Sequence, residues 1–350
     1  MERSTPERDA YDAPGTLRPE DSQHAARHQT YGSLDLRLRG DAAAGYTIEA
    51  QVAGGGSVPP QPLLLPPGRT LQYQLDRILQ RATTASEMRN VGEVLFDALF
   101  PPPILKLWSR TVGRLGDQAG LRLSLHIGPV ELMVLPWELV FDEEYLGLRR
   151  RYPIVRFLDL PAPPRPLAVR PPLRVLVVIS QPKDLPPFAV PAELANIREA
   201  LGELPTQIEV DVVEAAHRDA LLAMLRQDYH VLHFVGHGTF DGEEGHLIFE
   251  DYQGRSDPVS ALLLGQMVSD SDLRLAVLSA CETSLTGRNR NFGGVAHQLV
   301  RGGVPAVVAM QSSIPDKSAI AFSRGFYGAL AHGWSVDASV QEGRRAIMTT

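Results

Sequence analysis

The chain has a single cysteine, Cys281, among its 350 residues. One thiol forms no intramolecular disulfide and cannot supply a multi-cysteine metal site. A lone cysteine is ordinarily a small buried hydrophobe, so only its surroundings can give it another role. Apolar runs of roughly eighteen residues, the length that marks a membrane span, are also missing. Residues 1–32 are polar and carry no hydrophobic signal core, and a cytoplasmic location is expected. Long Lys/Arg clusters are absent and the formal net charge is −7, which leaves no electrostatic footprint for nucleic acid. Neither a membrane nor a nucleic acid is therefore expected as a partner. Gly293-Gly294 and Gly302-Gly303 lack the lysine and spacing of a phosphate loop and read as helix-end and turn glycines. No repeat of fixed period is visible, which excludes a helical solenoid.

What is present is an ordinary globular composition, 44% apolar and 21% charged, in a length that suggests two domains. Residues 1–30 are charged and proline-containing without apolar periodicity, as in a disordered arm. Leu34, Leu36 and Leu38 alternate, as do Tyr46, Ile48 and Ala50, around a turn-prone Gly40-Asp41, which predicts an antiparallel hairpin. Gly54 to Pro67 reads as a Gly/Pro-rich linker, so residues 31–69 form a small β region with a linker. Residues 70–165 read as a mixed α/β segment. They open on helical periodicity (Leu75, Ile78, Leu79; Val94, Leu95, Leu99) and continue into strands at 121–127 and 154–157. Glu138, in Leu135-Pro-Trp-Glu-Leu139, is expected in a structural ion pair between this segment and the next. The prolines of residues 160–172 mark a connecting arm, since they cannot sit inside a sheet.

From residue 170 the pattern becomes regular. Leu173–Ile179 is a continuous apolar run, as in a parallel strand covered on both faces. A helix with Leu194, Ile197, Leu201 and Leu204 follows. Strands at 208–213, 231–235, 275–278 and 306–309 then alternate with helices at 219–225, 262–268 and 295–300. A hairpin-like insertion falls at 247–254, and helices at 319–330 and 336–347 close the chain. The pattern predicts an α/β fold, a mainly parallel sheet between two helical layers.

Ligands of an open parallel sheet bind outside the carboxyl ends of its strands. Two such ends carry reactive groups here: strand 231–235 runs into Gly236-His237-Gly238, and strand 275–279 runs into Ala280-Cys281-Glu282. If the strands are neighbours, at just under ~5 Å, thiol and imidazole converge on one cleft. An imidazole can take a thiol proton and return it to a leaving amine. Gly238 and Cys281 would supply backbone N–H groups to an oxyanion. His233 and His237 could suggest a metal pair, but on a strand they lie roughly 13 Å apart, too far for one ion. His233 is read as structural and His246 as a surface residue. Glu282 could orient His237, meet substrate or simply be solvated.

Taken together, Leu232-His-Phe-Val-Gly-His-Gly238 and Leu278-Ser-Ala-Cys-Glu-Thr-Ser284 resemble the CHAT branch of the caspase-like (clan CD) cysteine peptidases. Leu135-Pro-Trp-Glu-Leu139, Pro172-Leu-Arg-Val-Leu-Val-Val178 and the helix after Gly333-Trp-Ser-Val336 agree, and the resemblance spans about residues 90–350. It implies a caspase-like catalytic domain at 170–350 preceded by a pseudo-caspase-like part at 70–165. His237 would be the general base and Cys281 the nucleophile, with no metal or cofactor. The specificity pocket would lie at Ser180, Ser279 and Gln311, all uncharged, which leaves the residue preceding the cut unassigned. A protein or peptide substrate, an activating partner or fused sensor module, and a role in a bacterial regulatory or defence pathway are further expectations. So is latency, with the Cys281 sulfur out of hydrogen-bond reach of His237 and a mobile loop at Thr286–Gly294. The alternative is a catalytically silent scaffold of the same fold that binds a partner. The end at Ala346-Ile-Met-Thr-Thr350, with no capping glycine, is expected of a piece of a longer protein.

Overall fold

The structure is a computed structural model that describes residues 30–66, 68–80, 82–116, 119–158, 172–188, 190–202, 208–241, 243–282, 293–311 and 314–349. The expected disordered arm at 1–30, apart from its last residue, lies outside the described residues, as does nearly all of the proline arm at 160–172. Among the described residues no helix is long and apolar enough to cross a membrane.

The first half is built on a five-stranded sheet. Strands β1 (Thr30–Asp41) and β2 (Gly45–Val52) form the predicted hairpin, with Leu34, Leu36, Leu38, Ile48 and Ala50 buried on one face. The residues read as a linker instead form a third strand, β3 (Gly56–Pro62), antiparallel to β2. It lies at the sheet edge, where Pro59, Pro60 and Pro62 cost no ladder partner on the open side. Helices α1 (Gly68–Leu79), α2 (Ala85–Leu99) and α3 (Pro102–Val112) follow. A reciprocal cap starts α2: Thr84 accepts from the Glu87 N–H, and Glu87 accepts from the Thr84 N–H. Strand β4 (Ala119–Ile127) then pairs parallel with β1, so the hairpin is no separate region but the flank of one sheet, β3-β2-β1-β4-β7. The short elements α4 (Val130–Met133), β5 (Phe141–Asp142) and β6 (Glu144–Tyr145) lead to β7 (Ile154–Phe157), parallel to β4.

The second half begins at β8 (Leu173–Ile179) and continues through α5 (Val190–Gly202), β9 (Ile208–Val213), α6 (Arg218–Met224), β10 (Val231–Phe240), β11 (Gly245–Glu250) and β12 (Ser256–Ser260). It ends with α7 (Ala261–Met267), β13 (Leu275–Glu282), α8 (Gly293–Arg301), β14 (Ala306–Ala309), α9 (Asp316–Ala331) and α10 (Val336–Met348). Leu204, expected on α5, lies outside the described residues. The parallel core runs β9-β8-β10-β13-β14, so strand order reverses between β8 and β10. One face packs Val175, Val177, Val231, Val235 and Val277 against Leu194 and Ile197 of α5 and Phe322, Phe326 and Tyr327 of α9. The other packs Leu176, Val178, Leu232, Phe234 and Leu278 against Leu221 of α6, Leu264 of α7 and Val295 and Leu299 of α8. This is the mainly parallel, helix-covered α/β sheet expected from the alternation.

Two strands run further than their apolar cores suggested. On one side β10 pairs with β8 only over Val231–Val235; beyond that β11 takes the same side, antiparallel over His237–Phe240. On its other side β10 pairs with β13 from Val231 to Gly238. His237 and Cys281 thus lie inside paired strands and not past their ends.

The halves meet through polar contacts. Arg122 of β4 pairs with Asp337 of α10 at 2.5 Å, Arg150 lies over the Trp334 ring, and Arg344 of α10 donates to the Gly147 carbonyl. Glu138 takes both ends of the Arg156 guanidinium at 2.8 Å, so its ion-pair partner lies in its own segment. Its link to the second half is the amide of Gln311, which donates to Oε2 at 2.8 Å. Burial alone would raise this carboxyl, but Arg156, then Arg344 and Gln311, hold it down at about 2. Breaking a part-buried pair leaves a charge without its partner, so Glu138→Ala should cost up to about 3 kcal/mol in urea unfolding at neutral pH. A carboxylate with a depressed folded value stabilises above its ordinary 4.5 and loses that contribution as pH falls towards about 2. The gap between wild type and Glu138→Ala should therefore close over that window; a gap that persists at pH 2 would contradict this account.

Candidate active site

The strand-order reversal places a crevice between β8 and β10, the position where sheets of this kind bind ligands. The chain leaves β8 at Ser180, whose N–H still donates to the Val235 carbonyl. Residues 181–188 then turn across the face of the sheet that carries His237. Gly236 allows the close approach here: a Cβ would lie 2.8 Å from the Phe234 ring and 3.1 Å from the Ser180 carbonyl.

His237 is 6% exposed. Its Nε2 lies 2.9 Å from the Pro186 carbonyl, and since a carbonyl only accepts, Nε2 carries the proton and Nδ1 is the basic nitrogen. The Phe188 ring stands edge-on to the imidazole at 5.3 Å. Burial lowers the pKa of His237 below its ordinary 6.5, and the Pro186 hydrogen bond offsets only part of this. The ring is therefore neutral at neutral pH, as a proton acceptor must be.

Cys281 is the register partner of His237 on the neighbouring parallel strand, and Glu282 is the partner of Gly238. The two chemistry-bearing residues are thus one strand spacing apart, about 4.8 Å between backbones. The thiol of Cys281, the carboxylate of Glu282 and residues 283–292 lie outside the described residues. With them go the expected sulfur–imidazole separation and the mobility of loop 286–294, except that Gly293 and Gly294 open α8.

His233, one helical-looking but strand-borne step before, is fully buried and structural. Its Nδ1 meets the Tyr327 hydroxyl at 2.6 Å and its Nε2 the Ser279 hydroxyl at 3.2 Å. The three residues assigned to a pocket are not brought together as one open surface. Ser180 is fully buried, and its hydroxyl has no hydrogen-bond partner among the described residues. Ser279 is held by His233, and Gln311 is exposed but tied to Glu138. His246 is no open surface residue either; its side chain is 14% exposed, with Asp241 and Glu244 at 3.7 and 3.8 Å. An open hollow of about 810 Å³ on α9 and α10, lined in part by Lys317, Arg324 and Trp334, contains none of these residues.

The residues missed by sequence reasoning are Pro186 and Phe188. The signal was available in outline: the first core strand is followed within eight residues by Pro182, Pro186 and Pro187, which cannot extend its ladder.

Residues 89–350 match the CHAT domain family. In structure the chain is similar to a crystal structure of the Arg specific cysteine proteinase gingipain R (RGPB), with a TM-score of 0.45 and 9% identity, over 80% of this chain and 69% of that one. None of the curated proteins matches the chain.

A histidine titration by NMR should place the His237 midpoint below 6.5; a midpoint above that value would mean the buried ring is stabilised as a cation and is no resting base.

Proposed function

The chain belongs to the CHAT domain family, and from that premise we propose that it is a cysteine endopeptidase with Cys281 as nucleophile and His237 as general base. The observation that carries this reading is the pairing of His237 with Cys281 across β10 and β13, with the Pro186 carbonyl holding the proton on Nε2.

In the proposed reaction Nδ1 of His237 takes the thiol proton, and the thiolate adds to the scissile carbonyl. The backbone N–H groups of Gly238 and Cys281 receive the developing oxyanion. The tetrahedral adduct collapses with cleavage of the C–N bond, and the imidazolium returns its proton to the leaving amine. Water, deprotonated by the same nitrogen, then hydrolyses the thioester and frees the thiol.

The substrate is a protein or peptide, and the setting a bacterial regulatory or defence pathway in the cytoplasm. The enzyme is latent until a partner or sensor module acts on it. What supports latency is the grip of the first half on the second: Gln311 lies just past β14, the neighbour of the Cys281 strand, and its side chain is held by Glu138. A misplacement near 1 Å can cost about a hundredfold in rate, so small movements of that grip suffice.

An electrophilic peptide probe should label Cys281, the only cysteine. Cys281→Ala should abolish cleavage of a true substrate and leave the melting temperature nearly unchanged, and His237→Ala should be almost as damaging. Equal turnover of a true substrate by wild type and Cys281→Ala would sink the peptidase reading. Full activity of the chain without any partner would refute latency alone.

A further inference from the structure

His237 is held from one side by a loop that has little to hold itself: residues 181–188 form no helix or strand. What fixes the loop is the β11–β12 hairpin, through two carboxylates. Asp184 accepts from the Ser256 N–H at 2.8 Å and from the Ser256 hydroxyl at 2.6 Å. Glu250, at the end of β11 and 7% exposed, accepts from the Gln181 N–H at 2.9 Å. The Gln181 side chain in turn donates to the Phe188 carbonyl at 3.1 Å. A backbone bond from Lys183 to the Gly254 carbonyl, 2.9 Å, lies between the two anchors. The same hairpin is fixed to the sheet, since β11 pairs with β10 at His237 itself. His237 is therefore enclosed by a closed circuit: β10 to β11, β11 and β12 to the loop, and the loop back to the imidazole through Pro186 and Phe188.

We propose that Asp184 and Glu250 are positioning residues for His237, holding the loop so that the Pro186 carbonyl keeps the ring proton on Nε2 and leaves Nδ1 free to act as base. Neither residue touches the reacting atoms, and the catalytic meaning of the proposal rests on the peptidase reading above. Without the anchors the carbonyl moves off Nε2, the ring rotates or takes its proton on Nδ1, and the thiol loses its acceptor. The conservative replacements keep the geometry. In Asp184→Asn the amide oxygen still accepts from the Ser256 N–H and the amide nitrogen can donate to the Ser256 hydroxyl. In Glu250→Gln the oxygen facing Gln181 remains an acceptor.

The test is the pH profile of Cys281 alkylation by iodoacetamide, read by intact mass, which is unambiguous because the chain has one cysteine. Wild type should react well below the free-thiol midpoint of about 8.5. Asp184→Ala and Glu250→Ala should move the profile towards that value, with a loss of up to about a hundredfold at pH 7. Asp184→Asn and Glu250→Gln should stay on the wild-type curve. In parallel, ¹⁵N shifts of His237 should report the Nε2–H tautomer in wild type and the conservative variants, and a mixture in the alanine variants. His237→Ala separates the two claims. If wild type already overlays His237→Ala, the chain without a partner holds no working pair and the positioning proposal is overturned, whereas the dyad reading fails only if wild type and Cys281→Ala then cleave a true substrate equally. If wild type differs from His237→Ala while both alanine variants overlay wild type, the positioning proposal is overturned and the dyad stands. Should Glu250→Ala not fold, Asp184→Ala, at an exposed position, with Ser256→Ala, at a partly exposed one, carries the same comparison.

Discussion

Strand β10 changes partner on one side midway along its length, and the arrangement of the candidate site follows from that change. A buried strand must satisfy its N–H and C=O groups on both edges. When β8 leaves after Ile179, the open edge of β10 is taken over by β11, which pairs from His237 onward. The exchange lets β10 stay extended well past its apolar segment. It carries a histidine into a position opposite the single cysteine, and it obliges the departing chain to cross the same face. The crossing segment brings the carbonyl that orients the imidazole. A continuous β8 would have covered His237, and a β10 that ended at Val235 would have left it on a loose turn.

The same economy of contacts governs how the two halves meet. Each half has its own apolar core, and the contacts described between them are largely polar: an arginine–aspartate pair, an arginine over a tryptophan, and the Gln311 amide on a carboxylate already paired with Arg156. Interfaces of this kind are more easily rearranged than apolar ones. Glu138 thereby has two tasks, closing a part-buried charge pair inside the first half and fixing the side chain of Gln311 beside the sheet edge of the second.

Most elements could be read from periodicity. The alternation in β1 and β2, the apolar run of β8 and the helical spacing of Leu194 and Ile197 in α5 all appeared where expected, because each pattern reports which face must be buried. The strand β3 was hidden by its prolines, which argue for a linker unless the strand is known to lie at an edge. The lengths of β10 and β13 were understated because their last residues, Gly236-His-Gly238 and Ala280-Cys-Glu282, carry no apolar signal. Ser180 is a pocket residue only by the resemblance, and its full burial is a property no local pattern shows.

By itself the sequence determined the fold class, the single thiol, and the histidine with which that thiol shares a strand-end pattern, since local propensity and the burial of apolar faces are written residue by residue. Only the tertiary structure decided that the two residues are register partners, that Pro186 orders the imidazole, and that Asp184 and Glu250 hold Pro186 in place. Those relations join residues far apart in the chain through directional hydrogen bonds, and no local pattern encodes the distance at which a carbonyl comes to rest.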